Sequence, residues 1–244
     1  MKRIKCIIFC EGKTDQDLIG LYLERVGGWE FYQCKDSGFP KKDINWYRNF
    51  GNSQVLGIWQ VGGNDFTKDL SELLEREFLE PTVEKVAIVT DYDDESAKTE
   101  RLERILSVFS YSFSKGEEKI KCDHEKWCRF DSKDSFGTGN NIEFCYILVP
   151  INENGALETF MLNALSEKDV EKKRIVEKSR DFVDTFNSEV YLKQRRDKTK
   201  AAFGVACSIF CPDRSTSNMK ELISSVDWDK YDTVNRQFKL LRQI

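Results

Sequence analysis

Short apolar segments alternate with amphipathic helical periods through the first 150 residues, and this alternation limits the possible folds more than any other feature. Four apolar segments bounded by Gly, Asp, Asn or Pro are predicted strands, at residues 4–10, 55–61, 85–90 and 142–149. Helical periods are predicted between them, at residues 15–26, 65–79 and 95–109. This order predicts an α/β fold with a mostly parallel four-stranded sheet flanked by helices.

The pattern changes after residue 150, and the change predicts two parts of the chain. Residues 1–150 are predicted to form the α/β domain, with a polar insertion or hairpin near 114–141. Residues 151–244 contain no convincing strand and are predicted to be a helical C-terminal extension packed on that domain. Its predicted helical segments are 156–179, 189–210, 216–224 and a short closing helix at 236–244.

Composition and charge exclude several functional classes. The apolar runs are far shorter than the roughly 20 residues that a membrane-spanning helix needs. The N-terminus enters a predicted strand directly and lacks the pattern of a signal peptide, so we expect a cytoplasmic protein. The net charge of -4 provides no general attraction for nucleic acid, which would have to bind a local basic patch or a metal.

The eight cysteines are expected to be mostly structural thiols. Cys6, Cys10 and Cys145 lie within predicted strands, where a reduced cysteine behaves as a small buried apolar residue. Cys122, His124 and Cys128 lie close together, but their spacing is not that of a standard structural zinc site. The sequence therefore does not predict zinc.

Acidic residues follow two of the predicted strands. Glu11 comes directly after the first strand, and Asp91 and Asp93 follow the third. In an open parallel sheet the carboxyl ends of the strands form the ligand crevice, and clustered carboxylates suit Mg²⁺ or Mn²⁺. The alternative is structural, because Asp15 could complement a helix dipole and Asp93 or Asp94 could cap the following helix.

Three segments in the first half resemble motifs of the TOPRIM superfamily. Residues 6–15, CIIFCEGKTD, resemble its first motif, and residues 91–93, DYD, resemble its DxD motif. Residues 59–63, WQVGG, are similar to the strand-plus-glycine element between those motifs. The order and spacing match over residues 4 to about 110, and the resemblance implies a TOPRIM-like, Rossmann-like sheet.

The resemblance also implies a role for several residues. In TOPRIM proteins that process phosphodiesters, the position of Glu11 is a general acid/base or metal ligand, and those of Asp91 and Asp93 hold Mg²⁺. The nuclease-like subtype has further acids, which correspond to Asp15 and to Glu158 in the segment GALE. It also has a later lysine, for which Lys198 and Lys200 are both candidates.

The layout of the whole chain is similar to that of small stand-alone bacterial TOPRIM-like proteins, which are related to the nuclease domains of overcoming-lysogenization-defect proteins. The chain lacks the tyrosine-bearing cleavage domain of topoisomerases and the ATPase domain of those nucleases, so activity could require a protein partner. Lys13, Arg195 and Arg196 are predicted to contact nucleic acid, although the basic stretch at 193–200 could also be a solvated helix face.

The sequence therefore predicts a Mg²⁺-dependent (or Mn²⁺-dependent) phosphodiester-processing protein, a nuclease acting on DNA or RNA. The main alternative is a non-catalytic or regulatory protein that binds nucleic acid or a partner on a TOPRIM scaffold. A sugar-nucleotide transferase is a third hypothesis, because a DxD segment can also bind a metal diphosphate, but it assigns no role to Glu11.

Overall fold

The structure is a computed structural model, and it describes residues 4–33, 43–51, 53–63, 65–79, 83–113, 122–123, 125–133, 139–186, 190–214 and 219–244. The chain divides into two compact units. The first contains Met1–Thr90, Asp94–Leu148 and Lys239–Ile244, and the second contains Asp91–Asp93 and Val149–Phe238. The predicted boundary lay after residue 150, whereas the second unit also includes Asp91–Asp93.

The described residues form seven strands and eight α-helices. The strands are β1 (Ile4–Cys10), β2 (Trp29–Phe31), β3 (Ile44–Asn49), β4 (Gln54–Gln60), β5 (Val83–Asp91), β6 (Cys128–Lys133) and β7 (Gly139–Val149). The helices are α1 (Lys13–Gly27), α2 (Thr67–Leu79), α3 (Glu95–Phe113), α4 (Leu157–Leu165), α5 (Val170–Asp184), α6 (Arg195–Phe210), α7 (Met219–Ser224) and α8 (Asp232–Gln237).

The seven strands form one sheet in the order β2-β3-β4-β1-β5-β7-β6. Strand β1 lies between β4 and β5 and pairs parallel with both. Strand β3 pairs antiparallel with β2 and β4, and β6 pairs antiparallel with β7. The predicted mixed α/β fold, with parallel strands and flanking helices, is confirmed. The prediction of a mostly parallel sheet with four strands was wrong, because β2, β3 and β6 extend the sheet through antiparallel pairing.

Strand β1 is at the centre of the sheet, and its sequence reflects that position. Every residue from Cys6 to Cys10 is fully buried, as expected for a strand covered on both faces. Helix α1 begins after Gly12 and ends at Gly27, and its C-cap is Gly28, which has a left-handed φ of 64° that a glycine adopts without steric cost. The short turn at Gly12 therefore places the side chains of Glu11 and Lys13 at the end of β1.

The second unit contains five helices, α4 to α8, within its described residues. Phe160 of α4 packs edge-on against Phe238, with ring centroids 5.7 Å apart. The predicted helix at 156–179 is two helices, because α4 ends at Leu165 and Asp169 caps the start of α5. The Asp169 side chain accepts hydrogen bonds from the backbone amides of Glu171 and Lys172, which is the geometry of an N-cap.

Among the residues that the structure describes, five cysteines are free thiols, and Cys122 and Cys128 form a disulfide. Cys6, Cys10 and Cys145 are buried, and burial raises the pKa of each thiol well above its ordinary value. The disulfide removes the two thiolates that a zinc site at Cys122 and Cys128 would need, and His124 lies outside the described residues. No helix in the described part of the chain combines the length and apolarity that crossing a membrane would require.

Candidate functional site

Glu11 lies at the end of β1 in a nearly buried network with two residues of the same unit. The hydroxyl of Thr90 donates to Glu11 Oε1 over 2.6 Å. Arg101 Nη1 in turn donates to Thr90 Oγ1 over 2.6 Å and lies 3.8 Å from Glu11 Oε1. The Arg101 side chain is 4% exposed and that of Glu11 is 11% exposed, so water screens this interaction poorly. The network holds one carboxylate oxygen of Glu11 in place.

The predicted glycine element also contacts the end of β1. The backbone amides of Gly62 and Gly63 both donate to the carbonyl of Glu11 over 3.0 Å. Gly62 has a φ of 76°, a left-handed conformation that favours glycine. The first motif, at residues 6–15, and the glycine element, at residues 59–63, are therefore adjacent in the first unit.

Asp15 and Lys13 have local roles at the start of α1. Asp15 Oδ2 accepts a hydrogen bond from the Gly12 amide over 3.1 Å, so Asp15 caps the start of the helix in addition to the dipole role considered for it. Lys13 Nζ lies 3.0 Å from Asp17 Oδ1 and donates to Gln16 Oε1. The Lys13 side chain remains 55% exposed, so it is accessible to a ligand.

Asp91 has both carboxylate oxygens engaged within the second unit. Oδ1 accepts a hydrogen bond from the Leu157 amide over 3.1 Å, and Oδ2 lies 3.7 Å from Arg196 Nη2. The side chain is 6% exposed. The neighbouring backbone is also tied to this unit, because the Tyr92 carbonyl accepts from the Gly155 amide over 2.7 Å.

The capping role considered for Asp93 or Asp94 is taken by Asp94 in the first unit. Asp94 Oδ1 accepts hydrogen bonds from the Ala97 amide over 2.8 Å and from the Ser96 hydroxyl over 2.6 Å. These donors, the Ala97 amide first, lower the pKa of the Asp94 carboxyl. Asp93 belongs to the second unit, where its exposed side chain lines a cavity.

Helix α6 presents two basic side chains, one turn apart, to two acids of the second unit. Arg196 is the partner of Asp91, and Lys200 Nζ lies 3.8 Å from Glu158 Oε1. The spacing of four residues places Arg196 and Lys200 on the same face of the helix. Lys198, the other candidate lysine, instead pairs with Asp184 over 3.2 Å. The two lysine candidates therefore have different partners, and of the two it is Lys200 that pairs with the predicted metal ligand Glu158.

A cavity of about 140 Å³ adjoins this face of α6. Asp93, Arg195 and Arg196 line it, together with Thr159 and Thr199. Three residues predicted from the sequence as metal or nucleic-acid ligands thus surround one small cavity. Glu11 and Asp15 belong to the other unit, and their predicted convergence with Asp91 and Asp93 stays a prediction.

The carboxylates of the second unit do not form a metal site with three protein ligands, but they fit a site with one or two. Among the described residues, no group of three His, Cys, Asp or Glu side chains is placed to hold a metal. A Mg²⁺ ion, however, is commonly bound by only one or two carboxylates, with waters and substrate phosphates as the other ligands. Asp91 and Glu158 offer hard oxygen donors of that kind, so the residues fit a Mg²⁺ that binds together with a phosphate ligand.

Two residues of the site were missed by sequence reasoning. Thr90 is the last residue of an apolar run, and a hydroxyl at that position received no role. Arg101 precedes Ile105 by four residues on α3, so it lies on the buried face of that helix. A single arginine on an otherwise apolar helix face is the signal that could have identified a buried partner for Glu11.

Comparisons with known proteins extend this description without assigning an activity. The hypothetical protein PH0156 from Pyrococcus horikoshii OT3, known from a crystal structure, is similar in fold with a TM-score of 0.54. It is 19% identical, and the match covers 99% of this chain and 93% of that chain. Among curated proteins, no match was found. The family DUF3226, described as a protein of unknown function, matches residues 5–240. The chain therefore belongs to the DUF3226 family.

Proposed function

We propose that this protein processes phosphodiesters on a TOPRIM-like scaffold, as a metal-dependent nuclease acting on DNA or RNA. The observation that carries the proposal is the pairing of Asp91 with Arg196 and of Glu158 with Lys200. A site for phosphoryl chemistry needs cations that bind phosphate oxygens and carboxylates that hold a metal. Helix α6 supplies the two cations, and Asp91 and the start of α4 supply the two carboxylates, all within one unit.

Support for the TOPRIM-like scaffold comes from the order of the motifs and from the sheet. Strands β1, β4 and β5 are adjacent and parallel, and β1 and β5 end at Cys10 and Asp91. The three segments that resemble TOPRIM motifs therefore follow, or end, neighbouring strands. This is the arrangement expected of a ligand crevice at the carboxyl edge of a parallel sheet.

The residues of the site have separable roles in the proposed reaction. Arg196 and Lys200 bind phosphate oxygens and stabilise the charge that develops on them. Glu11 acts as the general acid/base, a role that comes from the resemblance, and Thr90 holds one of its oxygens. When bound, Mg²⁺ would neutralise phosphate charge and polarise the phosphoryl group.

The experiment that tests this proposal is cleavage of labelled single-stranded, duplex and structured DNA and RNA by the purified chain, with Mg²⁺ or Mn²⁺. We expect Glu11→Gln and Asp91→Asn each to lower the rate by about 100-fold or more, since general acid/base groups alone contribute that much. Glu177→Gln on α5 is the control, because Glu177 is exposed and pairs only weakly with Lys173 at 4.0 Å. No cleavage of any substrate, or equal rates in all variants, would exclude the nuclease.

Metal binding provides a second readout that does not depend on activity. Because the site offers few protein ligands, we expect Mn²⁺ to bind weakly to the protein alone and more tightly when an oligonucleotide is present. Electron paramagnetic resonance of free Mn²⁺ measures both affinities. Asp91→Asn and Glu158→Gln should each remove the increase in affinity, and Glu177→Gln should retain it.

A non-catalytic binding protein is the second candidate, and one observation favours it. Glu11, Asp91 and Glu158 each lie 3.7–3.8 Å from a basic side chain of the chain itself. Protein cations that already neutralise these carboxylates reduce the need for a metal. This candidate predicts nucleic-acid or partner binding without cleavage, whereas the nuclease predicts cleavage that is lost in EDTA and in Asp91→Asn.

A further inference from the structure

A second cavity of the helical unit, outside the predicted metal ligands, has the features of a phosphate-binding site. It has a volume of about 290 Å³, close to the lower end of the range for small-ligand pockets. Helices α4, α5 and α6 line it, and Arg180, Arg195 and Lys198 contribute its basic side chains. Arg180 lies outside every segment that the sequence singled out.

The guanidinium of Arg180 is oriented by a neutral partner. Arg180 Nη2 donates to Asn163 Oδ1 over 2.9 Å, and the amide nitrogen of Asn163 donates to Glu153. The bond to Glu153 determines which end of the amide is the acceptor for arginine. Because an amide oxygen carries no net charge, Arg180 is held in place without being neutralised by that partner.

The guanidinium of Arg195 also contacts a neutral acceptor, whereas Lys198 forms an ion pair. Arg195 Nη2 lies 3.5 Å from the backbone carbonyl of Asn154, which is again a neutral acceptor. Lys198 forms an ion pair with Asp184. In the described part of the chain, neither Arg180 nor Arg195 has a carboxylate within the 4.0 Å of an ion pair. Glu153 and Asp184 also line the cavity, so its three basic and two acidic side chains leave a net charge of one positive unit.

We propose that this cavity binds a phosphate group of a nucleic-acid strand, with Arg180 and Arg195 as its ligands. Planar guanidinium groups donate two parallel hydrogen bonds to phosphate oxygens, and Thr159 and Thr199 line the same cavity. The cavity shares Thr159, Arg195 and Thr199 with the cavity that Asp93 lines. A nucleic-acid strand could therefore place neighbouring phosphate groups in the two cavities. The choice of nucleic acid as the ligand rests on the proposed function.

Binding in EDTA tests the site separately from cleavage. The probes are a fluorescent single-stranded DNA and an RNA of the same sequence, titrated at several salt concentrations. We expect Arg180→Gln and Arg195→Gln each to weaken binding about tenfold and to lower the salt-dependence slope by about 0.7, the value for one phosphate contact on a single strand. Arg174→Gln is the matched control, because Arg174 is exposed on the same helix and pairs with Glu171.

The outcomes separate this inference from the proposed function. Loss of binding in Arg180→Gln and Arg195→Gln, but not in Arg174→Gln, supports the site even if the protein cleaves nothing. Equal binding by all variants overturns it, even if Glu11→Gln shows that the protein is a nuclease. Inorganic pyrophosphate is the third probe. If the protein binds pyrophosphate but no nucleic acid, and Arg180→Gln and Arg195→Gln lose the pyrophosphate binding, the inference is also overturned, because the ligand would then be a small phosphate. Unchanged circular dichroism and melting temperature confirm that the variants are folded.

Discussion

The hydroxyl of Thr90 donates to Glu11 Oε1 and accepts from Arg101 Nη1, each over 2.6 Å. One threonine thus connects the acid at the end of β1 to an arginine of α3. Hydrogen bonds in which one partner is ionised are stronger than neutral ones, particularly where water is excluded. Arg101 is therefore best described as a residue that positions Glu11, and its removal should affect stability as well as activity.

Replacing Arg101 with methionine should destabilise the protein by about 3–5 kcal/mol, because it removes the buried cation that faces the nearly buried carboxylate of Glu11. Urea denaturation measures this loss. The double variant Glu11→Gln with Arg101→Met should recover part of it, since the uncompensated charge is then removed as well. A loss below about 1 kcal/mol, or no recovery in the double variant, would contradict a structural ion pair at this position.

A second prediction concerns the close approach of α1 and β3. A Cβ added at Gly20 would lie 2.0 Å from the hydroxyl oxygen of Tyr47 and 2.7 Å from its ring. Alanine gains about 1 kcal/mol over glycine in helix propensity, whereas overpacking costs about 1–3 kcal/mol or more. With the added atom this close, we expect the packing cost to be the larger effect and Gly20→Ala to be destabilising.

Gly204→Ala provides the matched control for that prediction. Gly204 lies within α6, and nothing lies within 4 Å of the Cβ that alanine would add there. This variant should therefore gain stability, by about 0.5–1 kcal/mol. Tyr47→Phe should relieve part of the loss in Gly20→Ala, since it removes the nearest atom. Stabilisation by Gly20→Ala would contradict the prediction, because it would show that α1 and β3 move apart enough to accommodate the added methyl group.

The sequence identified those elements whose own residues carry a strong pattern. Strand β1 has the predicted limits of 4–10, because a continuous apolar run between a charged start and Glu11-Gly12 leaves no other register. Strand β3, with the sequence INWYRN, was missed because polar residues interrupt its apolar ones. Its conformation depends on antiparallel pairing with β2 and β4, and such tertiary pairing is not visible in a six-residue segment.

In the candidate site, too, the sequence indicates the residues that follow a local pattern but not the partners that tertiary contacts bring to them. Strand-end acids are visible in sequence because each follows a predicted strand, so Glu11 and Asp91 could be named as candidates. Their partners come from helices far away in the chain, and a periodic pattern does not indicate which acid an arginine contacts. The sequence offered Lys198 and Lys200 as equal candidates, and only the position of Glu158 distinguishes them.

That distinction gives a third prediction. Lys200→Met should lower kcat in the proposed reaction by about 100-fold, because it removes a cation that would stabilise charge developing on the phosphate. Lys198→Met should mainly raise KM, since Lys198 lines the proposed phosphate cavity. Lys178→Met is the control, because Lys178 is exposed on α5 and pairs with Asp181. Equal losses of kcat in the two site variants would show that the basic stretch acts only as a general polyanion-binding surface.

The fourth prediction concerns two cysteines at the end of α6. Burial raises the pKa of the Cys207 thiol to about 12, whereas Cys211 is partly exposed. Only the thiolate reacts with iodoacetamide, so Cys211 should be alkylated at pH 8 at least about tenfold faster than Cys207. Peptide mapping by mass spectrometry measures each rate separately.

The pH dependence of the Cys207 rate follows from the direction of its pKa shift. Below a pKa of about 12 the thiolate fraction rises roughly tenfold per pH unit, so alkylation of Cys207 should accelerate steadily from pH 8 to pH 10. In urea-unfolded protein, where burial is lost, Cys207 and Cys211 should react at similar rates. Rapid labelling of Cys207 in the folded protein at pH 8 would show that the end of α6 opens readily, because its 8% exposure leaves the thiol little direct access to the reagent.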